Sequence, residues 1–439
     1  MTATYPQDRS HAIDMATHSR RTVITGLGVL SPIGSDPVAF WGALRAGASG
    51  IRTIRAVEPS VLSCRIAGEI PDFSPKTLID KSYRKSLNAM SRPVQLGVVA
   101  AQLAVQNAGL VKGTVPPERF GVVFASVMNE TEIDDLAGLS TACSIGPGRP
   151  VDMAAWGRVG VPQMPPMWML KYLPNMPACH ATIMHDAQGP SNSLTPSDLA
   201  GVAAVGEALH VIRRGTADVM LAGGCESKIT PVTLARLDTF APLTREYEHP
   251  ESAVRPFDRD ASGTCLGEGA AVFTLEELAH AQKRGVPILG EVVGFASGVD
   301  RGMTGAGLAR IIRAALTNAG IQPGDIDHVN AHGVGVPELD RFEARGIAAV
   351  FDRDVPVFAP LSRFGNMGAA SGTMELACSA LALQHGVLPG TLNHTVPDDD
   401  CPITVHTGAP RPVTKPYAIK ITVTDLGQCG AVVIKRWEA

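Results

Sequence analysis

The sequence lacks the features that direct a protein to a membrane, to nucleic acid or to an oxidising compartment. Its 439 residues contain no run of about 18 consecutive apolar residues, so no transmembrane helix is predicted. The formal net charge of −4 provides no basic excess for nucleic acid or an anionic membrane. The eight cysteines lack paired CxxC spacing, which argues for reduced thiols rather than disulfides or a zinc site. We therefore expect a cytoplasmic protein that holds no metal and no cofactor.

Predicted strands and helices alternate along the chain in two similar series. In the first series, a β-branched run at residues 23–25 is followed by helical segments over 95–108 and 199–214. A second series with a similar order of elements begins near residue 288. The length and the 45% hydrophobic fraction suit two fused α/β units. The first residues are polar and do not form a signal peptide. We predict a flexible tail over residues 1–21, an N-terminal half over 22–285 and a C-terminal half over 286–439.

Residues 144–177 interrupt this alternation. The segment is rich in proline and carries a group of large apolar residues, namely Met164, Met167, Trp168, Met169 and Met176. A methionine-rich segment of this kind is more often core or interface packing than a catalytic element. We therefore predict an irregular excursion with a packing role.

Three segments of the chain carry specific motifs. Residues 255–258 read Arg-Pro-Phe-Asp and precede Gly-Glu-Gly-Ala at 267–270, while residues 332–337 read His-Gly-Val-Gly-Val-Pro and precede Asp340 and Glu343. The third segment runs from Gly365-Asn366 to Gly372. In this order they resemble the RPFD…GEGA, HGTGTPxxDxxE and GHxxGAAG stretches of the β-ketoacyl-acyl carrier protein synthases. The resemblance extends over residues 22–437.

This resemblance implies a fold and a chemistry. The implied fold is thiolase-like, with two βαβαβαββ halves stacked as a five-layer αβαβα sandwich and assembled as a dimer. Members of the family transfer an acyl group to a cysteine, decarboxylate a malonyl group and attack the acyl thioester with the resulting carbanion. The chemistry requires a thiolate at a helix N-terminus and two histidines that stabilise the thioester oxyanion.

The position of the nucleophilic cysteine holds Asp198 in this chain. The stretch that begins at Gly189-Pro190 resembles the turn that carries the cysteine, and counting along it places the acid at that position. A carboxylate is a poor acyl acceptor from a thioester, because the mixed anhydride is less stable than the thioester consumed. Thr195, Pro196 and Asp198 also read as an ordinary helix start, with Thr195 as N-cap and Pro196 at the first helical position.

Other family positions have changed as well. The first histidine is retained as His332, whereas the second is Asn366, which can donate a hydrogen bond but cannot exchange a proton near neutral pH. Leu361 takes the place of the family lysine, so Glu343 loses its usual partner unless Arg341 or Arg363 supplies the charge. The gating loop Gly-Phe-Gly-Gly becomes Thr424, Asp425, Leu426 and Gly427. We therefore predict that none of the family's catalytic positions is competent for condensation.

Two further groups of residues imitate functional sites. Residues 140–144 are nearly the family nucleophile motif, but the glycines and prolines that follow Cys143 cannot form the helix that would lower its thiol pKa. Cys179, His180, His185 and Asp186 cluster in sequence without an established zinc spacing. We interpret both groups as structural.

Three hypotheses for function remain at this point. The leading one is a ketosynthase-like subunit of the chain-length-factor kind, catalytically silent alone, which forms a heterodimer with an active ketosynthase and works with an acyl carrier protein in fatty acid or polyketide biosynthesis. The second is a divergent acyltransferase or synthase with an altered catalytic set, in which His332 acts as a base. The third is a homodimeric scaffold that binds acyl chains or a carrier protein.

Overall fold

A computed structural model describes residues 20–128, 131–146, 148–164 and 167–438. Its strands in chain order are β1 (Thr22–Leu30), β2 (Ile51–Thr53), β3 (Ile66–Gly68), β4 (Phe120–Ala125), β5 (Ser191–Leu194), β6 (Val219–Ser227), β7 (Leu266–Glu277), β8 (Gly290–Val299), β9 (Ile326–Asn330), β10 (Val357–Phe358), β11 (Val387–Leu388), β12 (Arg411–Pro412), β13 (Tyr417–Val423) and β14 (Gln428–Lys435).

The helices alternate with these strands. In chain order they are α1 (Pro37–Arg45), α2 (Pro75–Leu78), α3 (Arg92–Asn107), α4 (Ile133–Ala142), α5 (Met153–Ala155), α6 (Val161–Gln163), α7 (Met176–His185), α8 (Ala200–Arg213), α9 (Pro231–Phe240), α10 (Leu278–Arg284), α11 (Ala306–Ala319), α12 (Pro337–Ala348) and α13 (Ser371–His385). The helices predicted over 95–108 and 199–214 are confirmed as α3 and α8, with ends that differ by one to three residues.

The two halves of the molecule contain sheets with the same strand order. The N-terminal half has the order β5-β4-β6-β7-β1 and the C-terminal half has the order β10-β9-β13-β14-β8. In each half the first three strands are parallel to one another, and the strand next to them is antiparallel. A short antiparallel pairing of β1 with β8 joins the two sheets. The repeated order shows that the two series seen in the sequence are two copies of one topology.

Helices cover both faces of each sheet. In the N-terminal half, α3 packs on β1, β6 and β7 on one face, while α8 packs on β4 and β6. In the C-terminal half, α11 packs on β8 and β14, while α13 packs on β13 and contacts α8. The contact between α8 and α13 places both helices between the sheets. The layers are therefore helix, sheet, helix, sheet, helix, which confirms the predicted fold class.

Two glycines in β1 permit its close packing against α3. A Cβ atom at Gly26 would lie 2.3 Å from the carbonyl oxygen of Ala104, and one at Gly28 would lie 2.0 Å from that of Ala100. Neither backbone atom can yield, so a side chain at either glycine would push the helix away from the sheet. The Gly-x-Gly spacing in β1 is therefore a packing feature.

The proline-rich excursion consists of short helical turns with exposed apolar side chains. Residues 144–177 include α5, α6, a π-helical turn at Trp156–Gly160 and a 3₁₀ turn at Trp168–Tyr172, while Pro147, Pro165 and Pro166 lie outside the described residues. The exposed apolar residues in and beside this segment are Met128, Ile133, Ile145, Met153, Val159, Val161, Met167, Met169 and Leu170. In the single chain, these side chains are not core.

Part of the predicted tail is tied to the folded body. Residues 1–19 lie outside the described residues, whereas Arg20 forms an ion pair with Asp218 and Arg21 forms one with Glu291. Within the part of the chain that the structure describes, no helix combines the length and the apolar character needed to cross a bilayer.

Candidate active site

The predicted site residues lie on three segments that meet between the two sheets. Asp198 follows β5 and lies just before α8, His332 follows β9, and Asn366 lies in the loop that precedes α13. The loop of Asn366 packs on the start of α8, since a Cβ atom at Gly201 would lie 2.9 Å from the carbonyl oxygen of Ala369. The fold thus brings together three residues that are separated by more than 30 positions in the sequence.

Asp198 does not cap the helix, so the capping interpretation of this acid is wrong. Helix α8 begins at Ala200 after a 3₁₀ turn at Ser197–Leu199, and neither element has a side-chain cap. Ser197 has a φ of 49°, an unusual value for a residue other than glycine, and this backbone turn directs the chain away from an ordinary helix start. Thr195 and Pro196 therefore do not occupy the N-cap and first helical positions.

The two carboxylate oxygens of Asp198 have different surroundings. The Oδ2 atom accepts a hydrogen bond of 3.1 Å from Ser197 Oγ. The buried Oδ1 atom has no hydrogen-bond donor among the described residues and lies 3.7 Å from Nε2 of His332, which exceeds a hydrogen-bond distance. The side chain as a whole is 15% exposed. Asp198 therefore presents a free acceptor beside an imidazole.

Charges alternate along a buried chain of side chains that starts at Asp198. His332 Nδ1 lies 3.1 Å from Oε1 of Glu375, and Oε2 of Glu375 contacts the ammonium group of Lys420. Burial lowers the pKa of His332, but Glu375 and Asp198 outweigh burial and raise it to about 10. His332 is therefore an imidazolium at neutral pH, held between two carboxylates.

The pKa of Asp198 is held below its ordinary value. Burial acts to raise it, whereas the positive charges of Lys228 and His332 lower it by a larger amount. Asp198 is consequently ionised throughout the physiological pH range. A carboxylate in this state cannot act as an acid, but it can accept a proton during a reaction.

Lys228 fixes the orientation of the amide of Asn366. The Nζ atom of Lys228 donates a hydrogen bond of 2.7 Å to Oδ1 of Asn366, and the backbone N–H of Gly368 donates a second bond of 2.8 Å to the same oxygen. Asn366 as a whole residue is only 9% exposed. Its Nδ2 group has no partner among the described residues and faces away from Lys228, which leaves two N–H donors free.

Glu343 is satisfied without the family lysine. Its carboxylate accepts hydrogen bonds from the backbone N–H groups of His332, at 2.7 Å, and Gly333, at 2.9 Å, and therefore shapes the loop that carries the histidine. Burial raises the pKa of Glu343, while Lys420 and His332 act in the opposite direction. The side chain of Leu361 is fully buried.

Neither arginine considered from the sequence approaches Glu343. Arg341 forms an ion pair with Asp398, and the guanidinium group of Arg363 donates to the carbonyl oxygens of Ala48 and Gly390. The nearby cation is Lys420 on β13, which sequence reasoning missed. A lysine within an otherwise apolar strand is the signal that could have revealed it, because a buried ammonium group needs an acidic partner.

The residues at the gating position form a tight turn between β13 and β14. Thr424 is buried and accepts a hydrogen bond from the N–H of Gly427, whereas Asp425 and Leu426 are exposed at the tip. No described hydrogen bond joins these four residues to Asp198 or His332. A turn of this kind is a different structure from a loop that inserts a large aromatic side chain beside the nucleophile.

The structure also locates the two groups of residues that only resemble functional sites in the sequence. Cys143 is the buried cap residue that follows α4, so it lies at the C-terminal end of a helix and not at the helix N-terminus that the family's nucleophile occupies. His180 and His185 lie on α7, and burial lowers the pKa of each. The described residues contain no cluster of three or more side chains suited to a metal ion.

Comparisons with known proteins agree with this architecture. Residues 19–281 match the family model for the beta-ketoacyl synthase N-terminal domain, and residues 290–395 match the model for the C-terminal domain. The chain is 34% identical over 406 residues to the tetracenomycin polyketide synthase ketoacyl synthase alpha subunit of Streptomyces glaucescens, which covers 88% of this chain and 90% of that protein. It is 33% identical over 392 residues to 3-oxoacyl-[acyl-carrier-protein] synthase 2 of Coxiella burnetii, with coverage of 87% and 90%.

Two solved structures are similar over nearly the whole chain. The ishigamide ketosynthase/chain length factor superposes with a TM-score of 0.83 and 28% identity, covering 95% of this chain and 100% of that chain. A beta-ketoacyl synthase from Burkholderia phymatum superposes with a TM-score of 0.84 and 26% identity, with the same coverage.

Proposed function

Since the chain belongs to the β-ketoacyl synthase family, we propose that it is a non-elongating subunit of the chain-length-factor type, which pairs with an active 3-oxoacyl-acyl carrier protein synthase in fatty acid or polyketide biosynthesis. The observation that carries the proposal is Asp198 beside His332. Condensation needs a thiolate that accepts an acyl group and later releases it, and a carboxylate cannot store an acyl group as a thioester. The scaffold is kept while its acyl-accepting atom is replaced.

Two cysteines of the core, Cys225 and Cys378, do not supply the missing thiolate. Cys225 on β6 is fully buried, and burial raises the pKa of its thiol to about 12. Cys378 on α13 is also fully buried with a raised thiol pKa. Thiols in such settings remain protonated and unreactive at neutral pH. The proposal therefore does not depend on Asp198 alone.

Two surface features support a partner subunit. Strand β5 is the last strand of its sheet, and among the described strands only β4 pairs with it, so its outer edge is available to another chain. The exposed apolar residues in and beside the proline-rich excursion form a second feature, because a soluble protein rarely leaves so many large apolar side chains uncovered. Both features suit a stable subunit interface.

A local cluster of positive charge suits an acidic carrier protein. Four exposed cations, Lys76, Lys81, Arg84 and Lys85, lie on or near the 3₁₀ helix at Lys81–Ala89. The chain as a whole carries a net charge of −4, so this patch is a local departure from the overall charge. Complementary charge of this kind steers two proteins together and depends on ionic strength. We propose that it contacts the carrier.

Two measurements test the proposed function. The purified chain alone, given malonyl-carrier protein and an acyl-carrier protein, should form no elongated product, and an active ketosynthase from the same biosynthetic system should co-elute with it in size-exclusion chromatography. Product length should then differ between the active ketosynthase alone and the complex. Elongation by the isolated chain, or failure to associate with any such ketosynthase, would overturn the proposal.

A further inference from the structure

We propose that this chain hydrolyses acyl thioesters at the remodelled site, with Asp198 as general base for a water molecule and with His332 and Asn366 as donors to the carbonyl oxygen. The inference goes beyond the proposed function, because it assigns an activity to the chain itself and requires no partner. It rests on three groups of complementary chemistry that the fold brings together: a free carboxylate oxygen, an imidazolium and an unpartnered amide.

The first group is the acceptor. Asp198 Oδ1 has no donor among the described residues, although Oδ2 is bonded to Ser197. A buried hydrogen-bond acceptor without a donor is unfavourable. We therefore infer that a molecule that enters the site supplies a donor to Oδ1. Because Oδ1 is buried in the free chain, a water molecule that donates to it must enter together with the acyl thioester, beside the imidazolium of His332, whose Nε2 lies 3.7 Å from Oδ1.

The second group is the amide donor of Asn366. Its Oδ1 is occupied by Lys228 Nζ and Gly368 N, so the amide cannot flip without losing both bonds. The Nδ2 group therefore keeps a fixed orientation and has no hydrogen-bond partner among the described residues. Lys228 acts as a positioning residue, since it touches the amide rather than the reacting atoms. A fixed donor of this kind stabilises an oxyanion more effectively than a mobile one does.

The proposed reaction balances as a simple hydrolysis. The water oxygen attacks the thioester carbonyl carbon while Asp198 takes one water proton, and the negative charge that develops on the carbonyl oxygen is stabilised by N–H groups of His332 and Asn366. The carbon–sulfur bond then breaks, and the leaving thiolate takes the proton from Asp198. The products are a carboxylic acid and a free thiol. No redox step and no additional reactant are needed.

The lost cysteine explains why hydrolysis replaces acyl transfer. A cysteine at this position would attack the thioester itself and retain the acyl group, whereas a carboxylate can direct the same attack through water. A thioester is an activated acyl group, so a weak base at a preorganised site suffices. The helix α8 that begins two residues after Asp198 further favours negative charge at this place.

The direct test uses the purified full-length chain and the probe S-octanoyl-pantetheine. Thiol release, measured with a chromogenic disulfide, should exceed the buffer rate and should fall by about 10²-fold or more in Asp198→Asn, as expected for loss of a general base. The matched control Asp354→Asn changes an exposed aspartate and should retain the wild-type rate. Absence of release above buffer, or equal rates for wild type and Asp198→Asn, would overturn the inference.

Two further variants distinguish whether the acyl group reaches position 198 from whether the site catalyses hydrolysis. Asp198→Cys should become acylated by the same probe, seen as a mass increase of one octanoyl group in the intact protein, which shows that the acyl group reaches position 198. Lys228→Met should lower kcat by about tenfold or more with little change in KM, because the amide donor acts on the transition state. An acylated Asp198→Cys together with an inactive wild type would reject hydrolysis and leave the proposed subunit role intact.

Isotope labelling identifies the role of the carboxylate. In H₂¹⁸O, attack by water places the label in the released acid and leaves Asp198 unlabelled after many turnovers. Attack by Asp198 through an anhydride that water then opens at the aspartyl carbon would place label in its carboxylate, detectable in a peptide that contains residue 198. The general-base step predicts the first result, and a labelled Asp198 would contradict it. Elongation by the chain, measured separately, concerns the proposed function alone.

Discussion

At the scale of single residues, a buried network of charged side chains holds the altered site in place. Lys420 pairs with Glu375, which contacts His332, which faces Asp198. The lysine missing at position 361 is thus offset by Lys420 on β13. Loss of one member of such a network strongly destabilises the fold, because removal of one charge leaves its partner buried and unpaired.

Replacement of Lys420 should destabilise the protein strongly. Lys420→Met leaves the carboxylate of Glu375 without its ammonium partner in a fully buried position, so the free energy of unfolding in urea should fall by about 3–5 kcal/mol. Lys283→Met, which removes an exposed lysine, serves as the control and should change it by less than about 0.5 kcal/mol. The double variant Lys420→Met/Glu375→Gln should recover part of the loss, and no recovery would mean that the pair is not coupled.

Alkaline pH should weaken the fold through His332. The folded pKa of about 10 lies above the ordinary value of 6.5, so the imidazolium contributes stability that is fully present below about pH 6.5 and is lost as pH rises through 10. Over that window the free energy of unfolding should fall by up to about 1.4 kcal/mol per pH unit. The difference between wild type and His332→Asn isolates this contribution, and equal slopes for the two proteins would show that His332 is neutral in the folded state.

The sequence predicted which residues occupy the site but not how they interact. Asp198, His332 and Asn366 follow from counting along motifs that the chain retains in the family's order. The roles of Lys228 and Lys420 could not be predicted, since their partners lie more than 40 positions away and the contacts depend on strand register. The capping interpretation failed because the positive φ of Ser197 delays the helix start to Ala200.

At the scale of elements, β5 is both the strand that leads to the candidate site and the edge strand of its sheet. The carbonyl oxygens of Pro190 and Leu194 accept hydrogen bonds from the N–H groups of Val122 in β4 and Ser126 just after it. The backbone groups of the alternate residues Ser191 and Ser193 therefore face outward. Asn192 already provides a side-chain acceptor for the N–H of Ser193. The strand that leads into Asp198 is therefore the one whose free edge a partner subunit would meet.

A proline at position 191 should weaken subunit association without unfolding the chain. Ser191→Pro removes an outward N–H and leaves the ladder with β4 intact. We expect loss of the complex with an active ketosynthase in size-exclusion chromatography, while the circular dichroism spectrum and the melting temperature of the isolated chain stay close to wild type. Asn192→Pro, which removes an N–H that faces β4, should instead lower the melting temperature. An undiminished complex with Ser191→Pro would exclude this edge from the interface.

At the scale of the whole molecule, the repeated strand order explains why the fold was predictable although the halves differ in residues. Each half needs only buried strands, helices on both faces and short connections, and these follow from local patterns. The assembly does not follow in the same way, because interface residues resemble core residues in sequence. Met167 and Met169 read as packing residues, and the structure then exposes them.

The exposed methionines should make the stability of the chain depend on its partner. A subunit that binds only the folded form raises the apparent melting temperature as its concentration rises, whereas an inert protein does not. Titration of the chain with an active ketosynthase should therefore raise the melting temperature of the chain progressively. Met167→Ser/Met169→Ser should reduce this shift while leaving the melting temperature of the isolated chain unchanged, because both side chains are exposed. A shift of the same size in wild type and double variant would place the partner on another surface.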